Sequence, residues 1–166
     1  MRTATLTHNT AWVRCYAGCD DGYFDAQVAA TYDDDEGEMS SADAIEPVVD
    51  VLAALAGDGR ALEFAIGTGR IALPLAARGV PVAGIDISAA MVERMRAKPG
   101  GADIPVVIGD IATTRVDGSF TLVYLVFNTI MNLTTQAAQV ACFRNAAAHL
   151  EPGGLLIVTT PNGYGP

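Results

Sequence analysis

The chain has 166 residues, of which 51% are hydrophobic and 17% charged, and its formal net charge is −9. This length suits a single domain with its own core, and the acidic balance argues against a nucleic-acid partner, because binding phosphates requires clustered Lys or Arg. No apolar run reaches the roughly 20 residues that a membrane-spanning helix needs, so no membrane partner is predicted. The first residues lack the basic start and apolar stretch of a secretory signal, and we expect a cytoplasmic protein.

Residues 1–19 show no clear periodicity, and the first predicted element is a helix from Gly22 to Tyr32. The acidic run at 33–36 follows, and like-charge repulsion is expected to keep it as an extended, solvated loop. A second helix is predicted over 42–56, because apolar residues recur there at helical spacing. Three cysteines without a secretion signal indicate free thiols, and no metal site is predicted.

The segment ALEFAIGTGRIALPLAARG at 61–79 predicts a buried strand, a glycine turn and a helix. Gly67 and Gly69 let the backbone turn sharply and leave room for a ligand beside the main chain. The next predicted strand, 81–86, ends on Asp86, near the distance at which an acid meets a ribose in nucleotide-binding α/β folds. The pattern therefore predicts a site for a nucleoside cofactor.

The glycine turn alone leaves the identity of that cofactor open. It also fits the looser form of the dinucleotide fingerprint, so a nicotinamide-dependent oxidoreductase is one alternative. Glu63 favours a different ligand, because its carboxylate attracts a protonated amine and a sulfonium, whereas a pyrophosphate gains nothing from it. Neither Tyr32 nor Tyr124 has a lysine four residues on, since Lys98 is the only lysine in the chain, and this argues against the nicotinamide alternative.

The rest of the sequence alternates strands and helices. The predicted elements are strands over 61–66, 81–86, 105–109, 120–127 and 154–160, and helices over 69–78, 88–97 and 135–149. Right-handed crossovers place the strands in the order 3-2-1-4-5, with a ligand crevice at the carboxyl ends of strands 1 and 4. The prediction is a Rossmann-like three-layer α/β sandwich with a mainly parallel sheet.

These motifs resemble those of the class I S-adenosylmethionine-dependent methyltransferases. The family's glycine motif is usually (D/E)-x-G-x-G-x-G, and this chain has EFAIGTG at 63–69, with Ala65 in place of the first glycine. Four further blocks match family motifs in the same order, namely GIDIS at 84–88, VVIGDI at 106–111, FTLVYLVFNTIMNL at 120–133 and HLEPGGLLIVTT at 149–160. The resemblance implies transfer of a methyl group from S-adenosylmethionine to a small-molecule acceptor by in-line displacement.

The resemblance also implies which residues bind the cofactor. Asp86 matches the acid that binds the ribose hydroxyls, Asp110 matches the residue that meets the adenine amino group, and Ile111 adds a backbone and apolar contact. The implied cofactor-binding residues are Glu63, Ala65, Gly67, Thr68, Gly69, Asp86, Ile87, Met91, Asp110, Ile111 and Phe127.

Candidates for acting on the acceptor lie in two places. Asn128 follows strand 4, where the acceptor is expected, and Tyr23 and Tyr32 correspond to aromatic positions on the N-terminal lid helix of small-molecule methyltransferases. No catalytic residue is assigned among them. The resemblance divides the chain into an extension with the lid helix, 1–40, and a cofactor-binding core, 41–166.

Enzymes of this family continue after strand 5 with a helix and an antiparallel hairpin of strands 6 and 7. This sequence ends six residues past Thr160, so the hairpin is expected to be missing. Strand 5 is then expected to be an exposed edge that a second copy covers in a homodimer. The alternative to an active enzyme is a non-catalytic or truncated domain that binds S-adenosylmethionine.

Overall fold

The computed structural model describes residues 24–35 and 41–159. Its helices are α1 (Ala26–Asp35), α2 (Ala42–Ala56), α3 (Ala72–Ala77), α4 (Ala89–Arg96) and α5 (Gln136–His149), and its strands are β1 (Ala61–Phe64), β2 (Val82–Asp86), β3 (Val106–Ile108), β4 (Phe120–Leu125) and β5 (Leu150–Val158). Short 3-10 turns lie at Gly101–Asp103 and Thr129–Asn132. Within the described ranges, no helix has the length and apolar character that crossing a membrane requires.

The strands form one parallel sheet in the order β3-β2-β1-β4-β5, which confirms the predicted topology. The order reverses between β1 and β4, so the loops that follow these two strands diverge and leave a crevice between them. In the register of the sheet, Glu63 of β1 lies between Gly84 of β2 and Tyr124 of β4. The crevice is therefore bounded by residues that directly follow two central, buried strands.

Helices cover both faces of the sheet, as predicted. All four residues of β1 are buried, and its side chains alternate between the two faces. One face packs against α2, α3 and α4, and its core includes Val49, Leu52, Leu75, Met95 and Leu122. The other face packs against α5, and its core includes Leu62, Phe64, Ile85, Val123 and Cys142.

From β1 onwards, the largest departures from the predicted bounds are at the start of one helix and the start of one strand. The helix after the glycine turn begins at Ala72 instead of 69, so Pro74 lies in its first turn, where a missing N–H costs little. Strand β5 begins at Leu150 instead of 154, because an irregularity shifts its register between Phe120 and Leu122. Ser88 caps α4 as expected, accepting the Met91 N–H at 3.2 Å.

The acidic run differs most from its prediction. The sequence predicted an extended loop over 33–36. This prediction is wrong for 33–35, which form the last turn of α1. Repulsion is relieved because Asp33 lies 2.7 Å from the Lys98 ammonium and accepts the Thr68 hydroxyl at 2.6 Å. Burial acts to raise the pKa of Asp33, but hydrogen bonds to Lys98 and Thr68 outweigh it and hold the pKa below its usual value.

Candidate functional site

An open cleft lies at the carboxyl ends of β1 and β4, beneath α1. It is open to solvent, and residues from the loops after β1 and β4 line it. Of the residues singled out from the sequence, the cleft brings together Tyr32, Glu63, Ala65, Gly67, Thr68, Phe127 and Asn128. The others, Gly69, Asp86, Ile87, Met91, Asp110 and Ile111, do not line it, and Tyr23 lies outside the described residues.

Three residues of the glycine turn, Ala65, Gly67 and Gly69, have positive φ. Gly67 has φ 57°, and an added Cβ would meet nothing closer than the Met91 methyl carbon at 3.8 Å, so only its left-handed backbone disfavours a side chain there. Gly69 has φ 79°, and an added Cβ would lie 2.5 Å from Met95 Cγ, so close packing against α4 already requires a glycine there. Ala65 has φ 58° although it carries a side chain. Its left-handed backbone explains why a glycine is usual at this position.

Glu63 is a buried carboxyl group at the floor of the cleft. Its Oε2 accepts the Tyr124 hydroxyl at 3.0 Å. Burial raises the pKa of Glu63 to about 8, and the Tyr124 hydrogen bond and the Arg70 charge only partly oppose this rise. The side chain therefore carries its proton at neutral pH, and a cation placed in the cleft would favour its ionised form.

Asp86 and Asp110 lie at the ends of β2 and β3, at the same edge of the sheet. The buried Asp86 carboxylate accepts the Gly67 N–H at 2.6 Å and the Ser88 N–H at 2.8 Å. Burial raises the pKa of Asp86, while these backbone bonds oppose the rise. Asp110 is half-buried and accepts the Ala112 N–H at 2.7 Å. The two acids are thus held by backbone donors at adjacent strand ends.

The apolar residues near these acids differ in exposure. Ile87 is half-buried, whereas Met91 and Ile111 are buried in the core. Ile111 belongs to the cluster beneath α5. Contact of these three side chains with a cofactor remains a prediction.

Two residues of α5 anchor the loop that follows Asp110. The Asn145 side-chain N–H groups donate to the carbonyl oxygens of Ile111 and Thr114, each at 2.8 Å. His149 Nε2 accepts the Val116 N–H at 2.9 Å, so its Nδ1–H donates to the Asn145 carbonyl oxygen at 2.8 Å. Burial lowers the pKa of His149 and keeps the ring neutral. This histidine therefore has a structural role, away from the cleft.

The loop after β4 is tightly bent. Phe127 and Asn128 both have left-handed backbones, with φ 55° and 65°. The Phe127 N–H donates to the Thr159 hydroxyl oxygen at 2.8 Å, and the Arg70 guanidinium lies 4.1 Å above the Phe127 ring centre. Asn128 Oδ1 is buried, and no hydrogen bond to it is formed by any residue that the structure describes.

Phe24, which precedes α1, and Tyr32 on that helix line the cleft, with their rings edge to face and 6.2 Å apart. Polar contacts attach this end of the chain to the rest. Asp33 meets Thr68 and Lys98 as described above, and Lys98 also donates to the Thr68 carbonyl oxygen at 2.8 Å. Arg94 donates to the Ala30 carbonyl oxygen at 3.0 Å, and the Ser88 hydroxyl donates to the Phe24 carbonyl oxygen.

Sequence reasoning missed four of these residues: Phe24, Asp33, Arg70 and Lys98. Arg70 directly follows the glycine motif, and that position was a usable signal. The pairing of Asp33 with Lys98 joins residues far apart in the chain, and no local pattern announces it. Phe24 is adjacent to Tyr23, and a bulky aromatic at either position fits the predicted lid helix.

Comparison with known proteins agrees with this geometry. The sequence matches the methyltransferase domain family over residues 61–154. It is 33% identical over 98 residues to the cypemycin N-terminal methyltransferase of a Streptomyces species, a match that covers 58% of this chain and 40% of that protein.

Two solved structures are also similar. The CcbJ methyltransferase of Streptomyces caelestis has 34% identity and a TM-score of 0.72, over 79% of this chain and 54% of that one. CalS10, a SAM-bound amino pentose methyltransferase of Micromonospora echinaspora involved in calicheamicin biosynthesis, has 28% identity and a TM-score of 0.64, over 87% of this chain and 58% of that one. The chain thus spans about half the length of these relatives.

Proposed function

We propose that this chain, which belongs to the methyltransferase domain family, binds S-adenosylmethionine and transfers its methyl group to a small-molecule acceptor. The observation that carries this proposal is the placement of three carboxyl groups near the carboxyl ends of neighbouring strands. Glu63 lies in β1, Asp86 ends β2 and accepts the Gly67 N–H, and Asp110 follows β3. When bound, this cofactor supplies an electrophilic methyl group on a sulfonium.

Each carboxyl group has a separate task in this proposal. Glu63 attracts the ammonium of the cofactor, Asp86 accepts the ribose hydroxyls, and Asp110 accepts the adenine amino group. Asp86 can do this while holding the Gly67 and Ser88 N–H groups, because each carboxylate oxygen has two lone pairs. Glu63 ionises as the cation enters, so we expect binding at neutral pH to release a proton.

The cleft assists the reaction mainly by position. Phe24, Tyr32 and Phe127 are aromatic side chains in its lining, and they exclude water from the reacting groups. Holding nucleophile, methyl carbon and sulfur in line can supply roughly 7–11 kcal/mol of the barrier.

The charge of the chain bears on the class of acceptor. A net charge of −9 disfavours nucleic acid, because binding phosphates requires clustered Lys or Arg. By their names, one of the relatives is an amino pentose methyltransferase and another is an N-terminal methyltransferase.

A homodimer through β5 is part of the same proposal. Among the described strands β5 pairs only with β4, and Leu155 on it is 41% exposed. Light scattering of the purified protein at several concentrations tests this: a dimer supports it, and a monomer throughout contradicts it.

Calorimetric titration with S-adenosylmethionine, with NAD in parallel, tests the cofactor. We expect binding to S-adenosylmethionine alone, lost in Asp86→Ala and kept in Asp103→Ala, which removes an exposed acid away from the cleft. Thermal unfolding of both variants, without ligand, separates loss of binding from loss of fold. Binding to NAD instead would overturn the proposal, and tight binding without methyl transfer to any acceptor would favour the non-catalytic alternative.

A further inference from the structure

The carboxamide of Asn128 is the starting point for a further inference. Its Oδ1 is shielded from water, and within the described part of the chain it is the one buried side-chain nitrogen or oxygen without a hydrogen-bond partner. Leaving a buried acceptor unpaired is costly, and natural proteins rarely do so without a reason. Asn128 lines the cleft, so a ligand bound there is the nearest group that could supply the missing hydrogen bond.

The backbone at Asn128 is strained as well. Phe127 and Asn128 are consecutive left-handed residues, an arrangement that persists only when the surroundings fix it. The surroundings do so here. The Thr129 hydroxyl donates to the Val126 carbonyl oxygen at 2.8 Å, and the Met131 N–H donates to the Asn128 carbonyl oxygen at 3.0 Å. The Thr159 hydroxyl oxygen accepts the Phe127 N–H. Strain and an unpaired acceptor at one residue together indicate a ligand contact.

The residues that line the cleft also restrict which kind of nucleophile the acceptor can use. Glu63 is the one carboxyl group in the described lining of the cleft, and it is already bound to Tyr124. No histidine, cysteine or lysine lines that part of the cleft. A hydroxyl acceptor needs a base to take its proton, whereas a neutral amine attacks through its lone pair. A carboxamide oxygen accepts a hydrogen bond but takes up no proton.

We propose that Asn128 is a positioning residue for an amine acceptor: its Oδ1 accepts an N–H of the neutral amine and directs the nitrogen lone pair at the methyl carbon. This inference rests on the proposed function. The nitrogen lone pair forms the new C–N bond, the methyl–sulfur bond breaks, and its electron pair stays on sulfur as a neutral thioether. The nitrogen becomes an ammonium and gives its proton to solvent.

A pair of cofactor analogues tests this without knowledge of the acceptor. S-adenosylhomocysteine has nothing where the methyl group lay, whereas sinefungin has an amine there, adjacent to the position of the acceptor nitrogen that Asn128 is proposed to contact. We expect Asn128→Gly, which removes the carboxamide but keeps the left-handed backbone, to weaken sinefungin about tenfold in a calorimetric Kd. The Kd of S-adenosylhomocysteine should stay within about twofold of the wild-type value.

Two further variants sharpen the test. Asn128→Asp keeps the acceptor oxygens, tolerates the left-handed backbone and adds a charge, so it should favour sinefungin over S-adenosylhomocysteine more than the wild type does. Asn132→Gly removes an exposed carboxamide from the same lining and should leave the ratio unchanged. Equal weakening of both analogues in Asn128→Gly, or an unchanged ratio in either Asn128 variant, overturns the inference. Failure of the wild type to bind either analogue overturns the proposed function itself.

Discussion

The floor and the roof of the cleft are held by different forces. Strands β1 and β4 form the floor and are buried in apolar clusters on both faces of the sheet. Helix α1 forms the roof, and Ala29 is its one buried residue among those with described side chains. Polar contacts from Thr68, Ser88, Arg94 and Lys98 attach it. Because few buried apolar contacts hold the roof, we expect the floor to be the more rigid side of the cleft and the roof to open at lower cost.

Removing a large side chain from the floor should have the largest effect. Phe64 is 1% exposed in the cluster beneath α5, so Phe64→Ala is expected to lower the free energy of unfolding by about 3–5 kcal/mol. Urea denaturation measures this loss. Val51→Ala, at a position 56% exposed on α2, serves as the control and should change stability by less than about 0.5 kcal/mol. Similar losses in the two variants would contradict the burial argument.

The buried acid in the floor should make stability depend on pH. The folded state keeps the Glu63 proton up to about pH 8, whereas the ordinary pKa is 4.5. The folded state therefore binds more protons between these values, so this contribution is complete below 4.5 and is lost as the pH rises through 8. From pH 7 to pH 9 we expect a loss of about 1–1.5 kcal/mol.

Glu63→Gln isolates that contribution, because it keeps an acceptor for the Tyr124 hydroxyl and cannot ionise. Urea denaturation at pH 7 and pH 9 should show the loss in the wild type and not in the variant. His149 does not disturb this window, because burial lowers its pKa and keeps it neutral above pH 7. Equal losses in both proteins would show that Glu63 is already ionised in the folded state at pH 7.

The glycine turn offers a smaller test of strain within the floor. Ala65→Gly should raise the free energy of unfolding by roughly 0.5–1 kcal/mol, because glycine adopts φ 58° without steric cost. Gly67→Ala is the matched reverse change, in open space and at φ 57°, and should lower stability by about 1 kcal/mol. Thermal denaturation measures both, and changes of the same sign would contradict the assignment of strain.

The polar attachment of the roof should give the smallest change in stability. Asp33→Asn weakens a half-exposed ion pair, worth about 0.5–1 kcal/mol at most. Lys98 is the only lysine, so its acetylation rate, followed by mass spectrometry, reports how often α1 releases it. We expect the rate to rise about two- to fivefold in Asp33→Asn, and to rise with salt in the wild type.

Asp34→Asn is the matched control for that measurement, because Asp34 is exposed and next to the residue that bears the contact. Its Lys98 acetylation rate should equal that of the wild type. A rise in both variants would mean that general charge, and no specific contact, holds the helix.

Local pattern was enough to predict the sheet and most of its helices. Apolar spacing predicted α2 with its observed bounds, Ser88 marked the start of α4, and crossover handedness gave the strand order. Local pattern was not enough where a contact joins distant residues. In the sequence Asp33 is one of four consecutive acidic residues, and only the fold places it beside Lys98.

The candidate site divides in the same way. Glu63, Gly67 and Phe127 were predicted and line the cleft, because each directly follows or lies within a strand that the pattern located. Asn128 could be predicted as a site residue, but its unpaired oxygen could not. That oxygen depends on the backbone torsions of the loop and on Thr159, which follows β5.

The attachment of the 110–116 loop to α5 has a consequence for divergence of the sequence. Asn145 and His149 hold main-chain atoms of that loop, so its exposed side chains, Thr113 and Arg115, are free to vary without displacing Asp110. The loop after β4 is fixed by other residues and belongs to a separate patch of the surface. Laboratory selection for a new acceptor should therefore give substitutions at 127–132 and leave Asp110, where we propose that adenine binds, unchanged.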